Sequence, residues 1–274
     1  TFSNYRDIKK EFFDNLPKDS FSLINKDDKN GKFMTQNTKS KVFYYALNTY
    51  ADFKIKILEK SIEGMLLKID QTELWTNLSG KFNAYNLLSV ISAATLLGIP
   101  QDKALEYASL LRSVRGRFEY VIINDITAIV DYAHTPDALK NVLETINTIR
   151  TKNEELITVV GCGGDRDISK RPKMGAIAAA LSTKVIFTSD NPRNENPATI
   201  NDAIEKGVPG EYFSKTISIS DRKQAIKAAC QLANEGDIIL IAGKGHETYQ
   251  EIKGERFGFD DFKIINELLK ALNK

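Results

Sequence analysis

The sequence predicts an α/β protein of two domains, and three observations lead there. Its 274 residues exceed a typical single domain of about 100–150 residues. From Phe118 onward, apolar β runs alternate with helical stretches, the pattern of βαβ units and a largely parallel sheet. Before that point the β-rich runs instead come at short spacing and are followed by two helices. The change of rhythm falls at Arg115-Gly116-Arg117, so the expected domains are residues 1–115 and 116–274.

Taken in order, residues 4–15 carry Tyr5, Ile8, Phe12 and Phe13 close to helical spacing. Residues 21–24 form a short apolar run, and residues 26–31 read as a polar turn. Residues 42–47, 53–58 and 65–69 are β-rich, and their short spacing predicts an antiparallel meander. Residues 83–97 and 101–111 read as helices, with Gly98-Ile99-Pro100 as the break. In the second half the β runs are 128–130, 156–160, 185–187 and 238–241. The helical stretches are 136–149, 173–181, 221–233 and 261–272.

Bulk properties narrow the function classes. Hydrophobic residues make up 42% and charged residues 27%, ordinary for a globular protein with a sizeable core. A net charge of +2, with no basic tract, argues against nucleic acid or an anionic membrane surface as partner. No apolar run approaches the ~20 residues that cross a bilayer. Two distant cysteines, Cys162 and Cys230, make neither a disulfide framework nor a zinc pattern, which suits a reducing cytoplasm. The chain opens on Thr1 directly into a structured segment, as a piece of a longer protein would.

Four β runs of the second half end in polar turns. These are Asp131-Tyr132-Ala133-His134, Gly161-Cys162-Gly163-Gly164-Asp165-Arg166-Asp167, Asp190-Asn191-Pro192-Arg193 and Gly243-Lys244-Gly245-His246-Glu247. In open α/β sheets ligands bind outside the carboxyl ends of the strands, so the four turns are expected to line one cleft. Arg166 and Arg193 can grip carboxylate or phosphate through a planar fork. Asp131, Asp165, Asp167, Asp190 and Glu247 can hold ammonium groups or a magnesium ion. A ligand bearing several charges of both signs suits such a cleft. Each feature also has a plainer reading: a glycine turn, a solvated arginine, or a structural histidine at His134. The Gly161 turn is neither a Walker A loop nor a G-x-G-x-x-G fingerprint. Cys162 has no base partner at local spacing and reads as a structural thiol.

These turns, with Gly80-Lys81-Phe82-Asn83-Ala84-Tyr85-Asn86 and Gly116-Arg117, resemble the Mur ligases in order and spacing from residue 80 onward. The first 79 residues match more loosely, through Asn4-Tyr5 with Lys9 and Ile24-Asn25 with Asp27-Asp28. The resemblance implies the later part of a central ATPase domain followed by a Rossmann-like C-terminal ligase domain. It implies that ATP phosphorylates the D-glutamate carboxylate of UDP-MurNAc-L-Ala-D-Glu, and that the amine of an amino acid attacks the acyl phosphate. Asn86 and Asn83 would contact the base, and Arg117, Asp131, Tyr132 and His134 the phosphates and ribose. Lys9 would be carbamylated and bind Mg2+; the plainer alternative is a surface lysine beside Lys10. The Asp190-Asn191-Pro192-Arg193 turn matches members that add meso-diaminopimelate, with Arg166, Asp190, Asn191, Pro192, Arg193, Gly243 and Glu247 as its contacts.

One departure is large: the sequence contains no G-x-x-x-x-G-K-[S/T]. The chain alone is therefore expected to be inactive, and the sheet of its first half to be incomplete, with unpaired edges. Two other readings stay open at this point: a stand-alone module that binds a charged metabolite, and a folylpolyglutamate-type ligase. The Asp190 and Gly243 turns disfavour the second.

Overall fold

The structure is a computed structural model and describes residues 2–272. It forms two compact units, Thr1–Arg112 and Ser113–Lys274.

In the first unit the elements run α1 (Phe2–Asp14), β1 (Phe21–Asn25), α2 (Gly31–Met34), β2 (Lys41–Ala46), β3 (Phe53–Lys54), β4 (Lys56–Lys60), β5 (Met65–Ile69), β6 (Thr72–Thr76), α3 (Lys81–Leu96) and α4 (Gln101–Ser109). They make two three-stranded sheets, parallel β1-β2-β3 and antiparallel β4-β5-β6. Among the described residues β1 pairs only with β2. The helix α3 buries Ala84, Leu87, Leu88, Ile91 and Ser92, the i, i+3, i+4, i+7, i+8 stripe of a core-facing helix. That stripe meets Ile55 between β3 and β4, Met65, Leu67 and Leu74 of the antiparallel sheet, and Leu105 of α4.

The antiparallel meander expected over residues 42–69 does not form as such. The run 53–58 belongs to two sheets: Phe53 and Lys54 extend the parallel sheet beside Tyr45 and Ala46, and residues from Lys56 pair antiparallel with β5. Ile55, fully buried, marks the switch. A short apolar run has the same period whichever way its neighbour runs, so the pattern alone could not separate the two cases. The parallel pairing of β1 with β2 follows from the long connection through α2, since parallel neighbours need a crossover.

The second unit runs β7 (Glu119–Ile123), β8 (Ile126–Asp131), α5 (Pro136–Ile149), β9 (Leu156–Val160), α6 (Lys170–Leu181), β10 (Lys184–Phe187), α7 (Pro197–Glu205), a 3-10 segment at Gly210–Lys215, β11 (Thr216–Ser218), α8 (Arg222–Leu232), β12 (Ile238–Ala242), β13 (Tyr249–Ile252), β14 (Glu255–Gly258) and α9 (Asp261–Ala271). Six strands form one sheet in the order β11-β10-β9-β12-β8-β7, parallel except for the antiparallel β7. Burial on both faces explains why β12 reads as an unbroken apolar run and β9 as one broken only by Thr158, whose hydroxyl pairs with Ser182. Ala128, Val130, Ile157, Val159, Ile239 and Ile241 face α8 and α9, where Ala225, Ile226, Ala229, Ile265 and Leu269 complete a core. On the other side α5, α6 and α7 pack in a row, with α6 and α7 against β10. The helices are capped as sequence chemistry dictates: Thr135, Asn196, Asp221 and Asp260 each accept a backbone N–H of the first turn.

A buried ion pair ties α8 to α9. Arg222 Nε and Nη2 donate to the Asp261 carboxylate at 2.8 and 2.7 Å, with both side chains fully buried. The same guanidinium donates to Ala242 O (3.1 Å) and Ser189 O (3.4 Å), so it also holds the ends of β12 and β10. Removing one partner of a buried pair strands the other charge and costs about 3–5 kcal/mol, while apolar replacement of both is close to neutral. Asp261→Ala is therefore expected to lower the unfolding free energy by that amount, and Arg222→Met with Asp261→Leu to recover most of it. Chemical denaturation checks this; equal losses in the single and double variants would contradict it.

Candidate active site

Strand register brings the four polar turns to one edge of the sheet. Ala242 of β12 lies opposite Asp131 of β8 and Val160 of β9, and Val160 lies opposite Phe187 of β10. The turns after these residues therefore begin level with one another, on adjacent parallel strands. Hydrogen bonds lock them side by side. Gly243 N donates to Asp131 O (3.1 Å), and Gly164 N donates to Asn191 O (2.9 Å).

Asp131, Asp190 and Asn191 are buried, and Lys244 is fully so. Gly243 holds a φ of +119°, and a Cβ there would stand 2.5 Å from Asp190 Oδ2; only glycine lets these two turns meet. Asn191 Nδ2 donates to Glu247 Oε2 (2.8 Å), and Lys244 Nζ lies 3.0 Å from Asn191 Oδ1 and 3.1 Å from Glu247 Oε2. Arg193 does not wave in solvent as the plain reading would have it. Its Nη1 donates to Gly164 O at 2.8 Å, and its Nε sits 3.4 Å from Glu251 Oε2. Arg193 also takes a left-handed φ of +51°, unusual for a non-glycine residue and held by backbone bonds to Glu251 and Lys253. Arg166 is exposed on the neighbouring turn, and both arginines flank Gly163. Pro192 is buried between Asn191 and Arg193.

A second group gathers at the end of β8. Tyr132 lies between His134 and His246, with ring centroids 4.5 and 5.2 Å away, and the Arg117 guanidinium is 4.8 Å from its ring. Gly116 approaches so closely that a Cβ would sit 2.0 Å from His246 N. His134 Nδ1 is 2.9 Å from Tyr132 O; a carbonyl only accepts, so Nδ1 carries a proton and donates it to that carbonyl. Asp131 Oδ2 accepts the Phe118 N–H at 2.8 Å. Burial lifts the Asp131 pKa above its ordinary 3.8, and the Phe118 and Ala133 amides and the Arg117 charge offset only part of that. The folded chain thus holds this proton more firmly than the unfolded chain. The resulting stability is fully present below pH 3.8 and is lost as pH rises through the folded pKa. Asp131→Asn cannot ionise, so its Tm should gain on wild type as pH is raised from below 3.8 towards neutrality. A Tm difference that stays constant would refute this.

Cys162 is buried, and burial pushes its thiol up to about 12, so it stays protonated and is no nucleophile.

The remaining sequence candidates lie in the first unit. Asn83 and Asn86 stand on the first turns of α3, where Asn83 Nδ2 donates to Ser79 O (2.8 Å) and Asn86 is exposed. Between them Tyr85 turns inward and donates to Asp27 (2.7 Å). Asp27 also accepts the N–H groups of Leu47, Asn48 and Thr49. Burial alone would raise the Asp27 pKa, but these donors together hold it well below the usual carboxylate range. Lys9 is exposed on α1, 4.8 Å from the Tyr5 ring, while its neighbour Lys10 is buried and paired with Asp14. Among the described residues no three His, Cys, Asp or Glu side chains converge where an ion could be held.

Several residues of this edge have roles that the sequence did not reveal. Lys244 belongs to the Gly243 turn, but no local pattern marks it as buried. Arg171 is buried beneath the Gly163 turn, where it pairs with Glu195 (2.8 Å), which in turn accepts the Asp165 N–H. The β13–β14 hairpin brings Gln250 and Glu251 against residues 189–193. Its signal was legible: Lys253-Gly254 between two four-residue strands, both at positive φ, is a two-residue hairpin turn.

The Mur ligase middle domain family matches residues 1–94, and the Mur ligase glutamate ligase domain family matches residues 116–245. The chain belongs to the Mur ligase family. Among its relatives is the UDP-N-acetylmuramoyl-L-alanyl-D-glutamate–2,6-diaminopimelate ligase of Cytophaga hutchinsonii, 54% identical over 275 residues covering all of this chain. The ligase of the same name from Bacteroides thetaiotaomicron is 52% identical over 98% of the chain. The chain spans 56% of the length of each. A solved structure of a ligase of that name is similar over the whole chain, with a TM-score of 0.65 and 34% identity, and the match takes in 57% of that protein. The MurF ligase of Thermotoga maritima, solved with ADP, shares the fold over 99% of this chain and 58% of its own, with a TM-score of 0.71 at 15% identity.

Proposed function

We propose that this chain is part of an ATP-dependent ligase that joins meso-diaminopimelate to the D-glutamate carboxylate of UDP-MurNAc-L-Ala-D-Glu, a step of peptidoglycan precursor synthesis in the cytoplasm. The observation that carries this reading is the meeting of the Gly163, Asp190 and Gly243 turns. There two arginines stand on one side and Asp190 and Glu247 on the other, around backbone made approachable by glycine. Diaminopimelate carries two carboxylates and two ammonium groups, the charge pattern such an edge complements.

In this reading Arg193 and Arg166 take the carboxylates, and Glu247 with the Gly243 carbonyl takes an ammonium group. Asp190, Asn191 and Pro192 shape the pocket floor. Arg117, Asp131, Tyr132 and His134 serve the nucleotide's phosphates and ribose, and Asn83 and Asn86 its base. The reaction passes through an acyl phosphate: the D-glutamate carboxylate oxygen takes the γ-phosphoryl group, ADP leaves, and the incoming amine displaces phosphate. The residues of this chain contribute positioning of the amine and charge complementarity. Magnesium would be held chiefly by phosphate oxygens, with carbamylated Lys9 as a further ligand. The test is substrate choice by the intact enzyme, assayed with ATP, UDP-MurNAc-dipeptide and either meso-diaminopimelate or L-lysine. Formation of the diaminopimelate tripeptide alone supports the reading, and preference for lysine overturns it.

A further inference from the structure

Lys244 is fully buried in the turn after β12, a costly place for a charge. Its ammonium group has three neighbours: Asn191 Oδ1 at 3.0 Å, Glu247 Oε2 at 3.1 Å, and the Tyr249 ring, 5.6 Å from the centroid. We propose that Lys244 is a positioning residue that completes the donor–acceptor polarity of the amino-acid pocket: it occupies the last lone pair of Asn191 Oδ1, so that Asn191 offers only a donor to a carboxylate, and it holds Glu247 as an acceptor for an ammonium group. The inference rests on the diaminopimelate reading and assigns a device within it.

The orientation of the Asn191 amide follows from its neighbours. The Lys244 ammonium and the Glu251 N–H (2.9 Å) can only donate, so the atom facing both is the oxygen. The Glu247 carboxylate only accepts, so the atom facing it at 2.8 Å is the nitrogen. Both lone pairs of Oδ1 are then taken, and Asn191 has only its second Nδ2–H left to offer. Glu247 is settled in the same way. Its Oε2 receives Lys244 and Asn191, while Oε1 takes no hydrogen bond from the described residues. Without the cation, the Glu251 N–H and Glu247 would still fix the sense of the amide, but the second lone pair of Oδ1 would lose its donor and stand as a bare acceptor beside the ligand. An acceptor there repels the carboxylate it should bind.

Two substitutions in the intact enzyme test this. Lys244→Met keeps the length and apolar stem but removes the charge. It should raise KM for meso-diaminopimelate about 10–100-fold, the scale of lost hydrogen bonds to charged groups, with kcat and the KM values for ATP and UDP-MurNAc-dipeptide little changed. Asn191→Asp keeps an acceptor for Lys244 and Glu251 but replaces the donor with a second acceptor. It sets a second carboxylate oxygen 2.8 Å from Glu247, so it should lower the Tm, and the folded variant should lose diaminopimelate affinity by a similar factor. This second variant keeps the inference testable if Lys244→Met does not fold. A wild-type KM for diaminopimelate in either folded variant overturns it, as does an equal loss for all three substrates. If the unsubstituted enzyme does not ligate diaminopimelate, the underlying reading fails, and that is seen before any substitution is made.

Discussion

Replacing Arg193 with alanine in the intact enzyme is expected to lower kcat/KM for meso-diaminopimelate by about 10²–10³-fold and to change that for L-lysine far less. The two amino acids differ at the far end of the side chain, where only diaminopimelate carries a second carboxylate. An arginine fork binds such a group through two parallel, charge-assisted hydrogen bonds. Truncating one member of a desolvated charge pair costs roughly 2–5 kcal/mol, which brackets the expected loss. Lysine offers no anion to the guanidinium, so it has little to lose. Arg193 also holds Gly164 O and lies beside Glu251, so alanine loosens the Gly163 turn as well as removing a ligand contact. Arg193→Lys retains charge but not the fork, and should recover only part of the loss. Steady-state kinetics with both amino acids decide the matter. Unchanged efficiency and selectivity in Arg193→Ala would move the discriminating charge elsewhere, with exposed Arg166 the next candidate.

The 274-residue chain by itself should release no phosphate and form no tripeptide at a rate within about 10³-fold of an intact ligase. Phosphoryl transfer leaves little covalent work to the protein; it needs charge on the β- and γ-phosphates neutralised by backbone N–H groups and a lysine. The sequence contains no G-x-x-x-x-G-K-[S/T] to supply that cradle. Arg117 and His134 are exposed in the second unit and do not replace it. The assay is phosphate release and product formation with ATP, magnesium, UDP-MurNAc-dipeptide and diaminopimelate, on chain shown to be folded by circular dichroism. Turnover near that of an intact enzyme would mean that other side chains of these two units neutralise the phosphates.

The strand–helix alternation of the second half and the four charged turns could be read directly, because each is a local pattern. A buried parallel strand is a short apolar run, and it ends where polar residues begin. Level register then carried those turns to one edge, as the rule for open α/β sheets anticipates. The antiparallel meander held from Lys56 onward and failed before it, since which strand pairs with Phe53 and Lys54 is a tertiary fact. So are the details that give the site its chemistry. Lys244 meets Asn191 across 53 positions and Glu251 meets it across 60, and Arg222 reaches Asp261 across 39. No local period encodes such pairs. The sequence by itself determined which residue types stand at the strand ends. Only the tertiary structure decided which way the Asn191 amide faces, that Arg193 is tethered rather than solvated, and that Lys244 is buried, because each depends on donors and acceptors brought together by packing of distant segments.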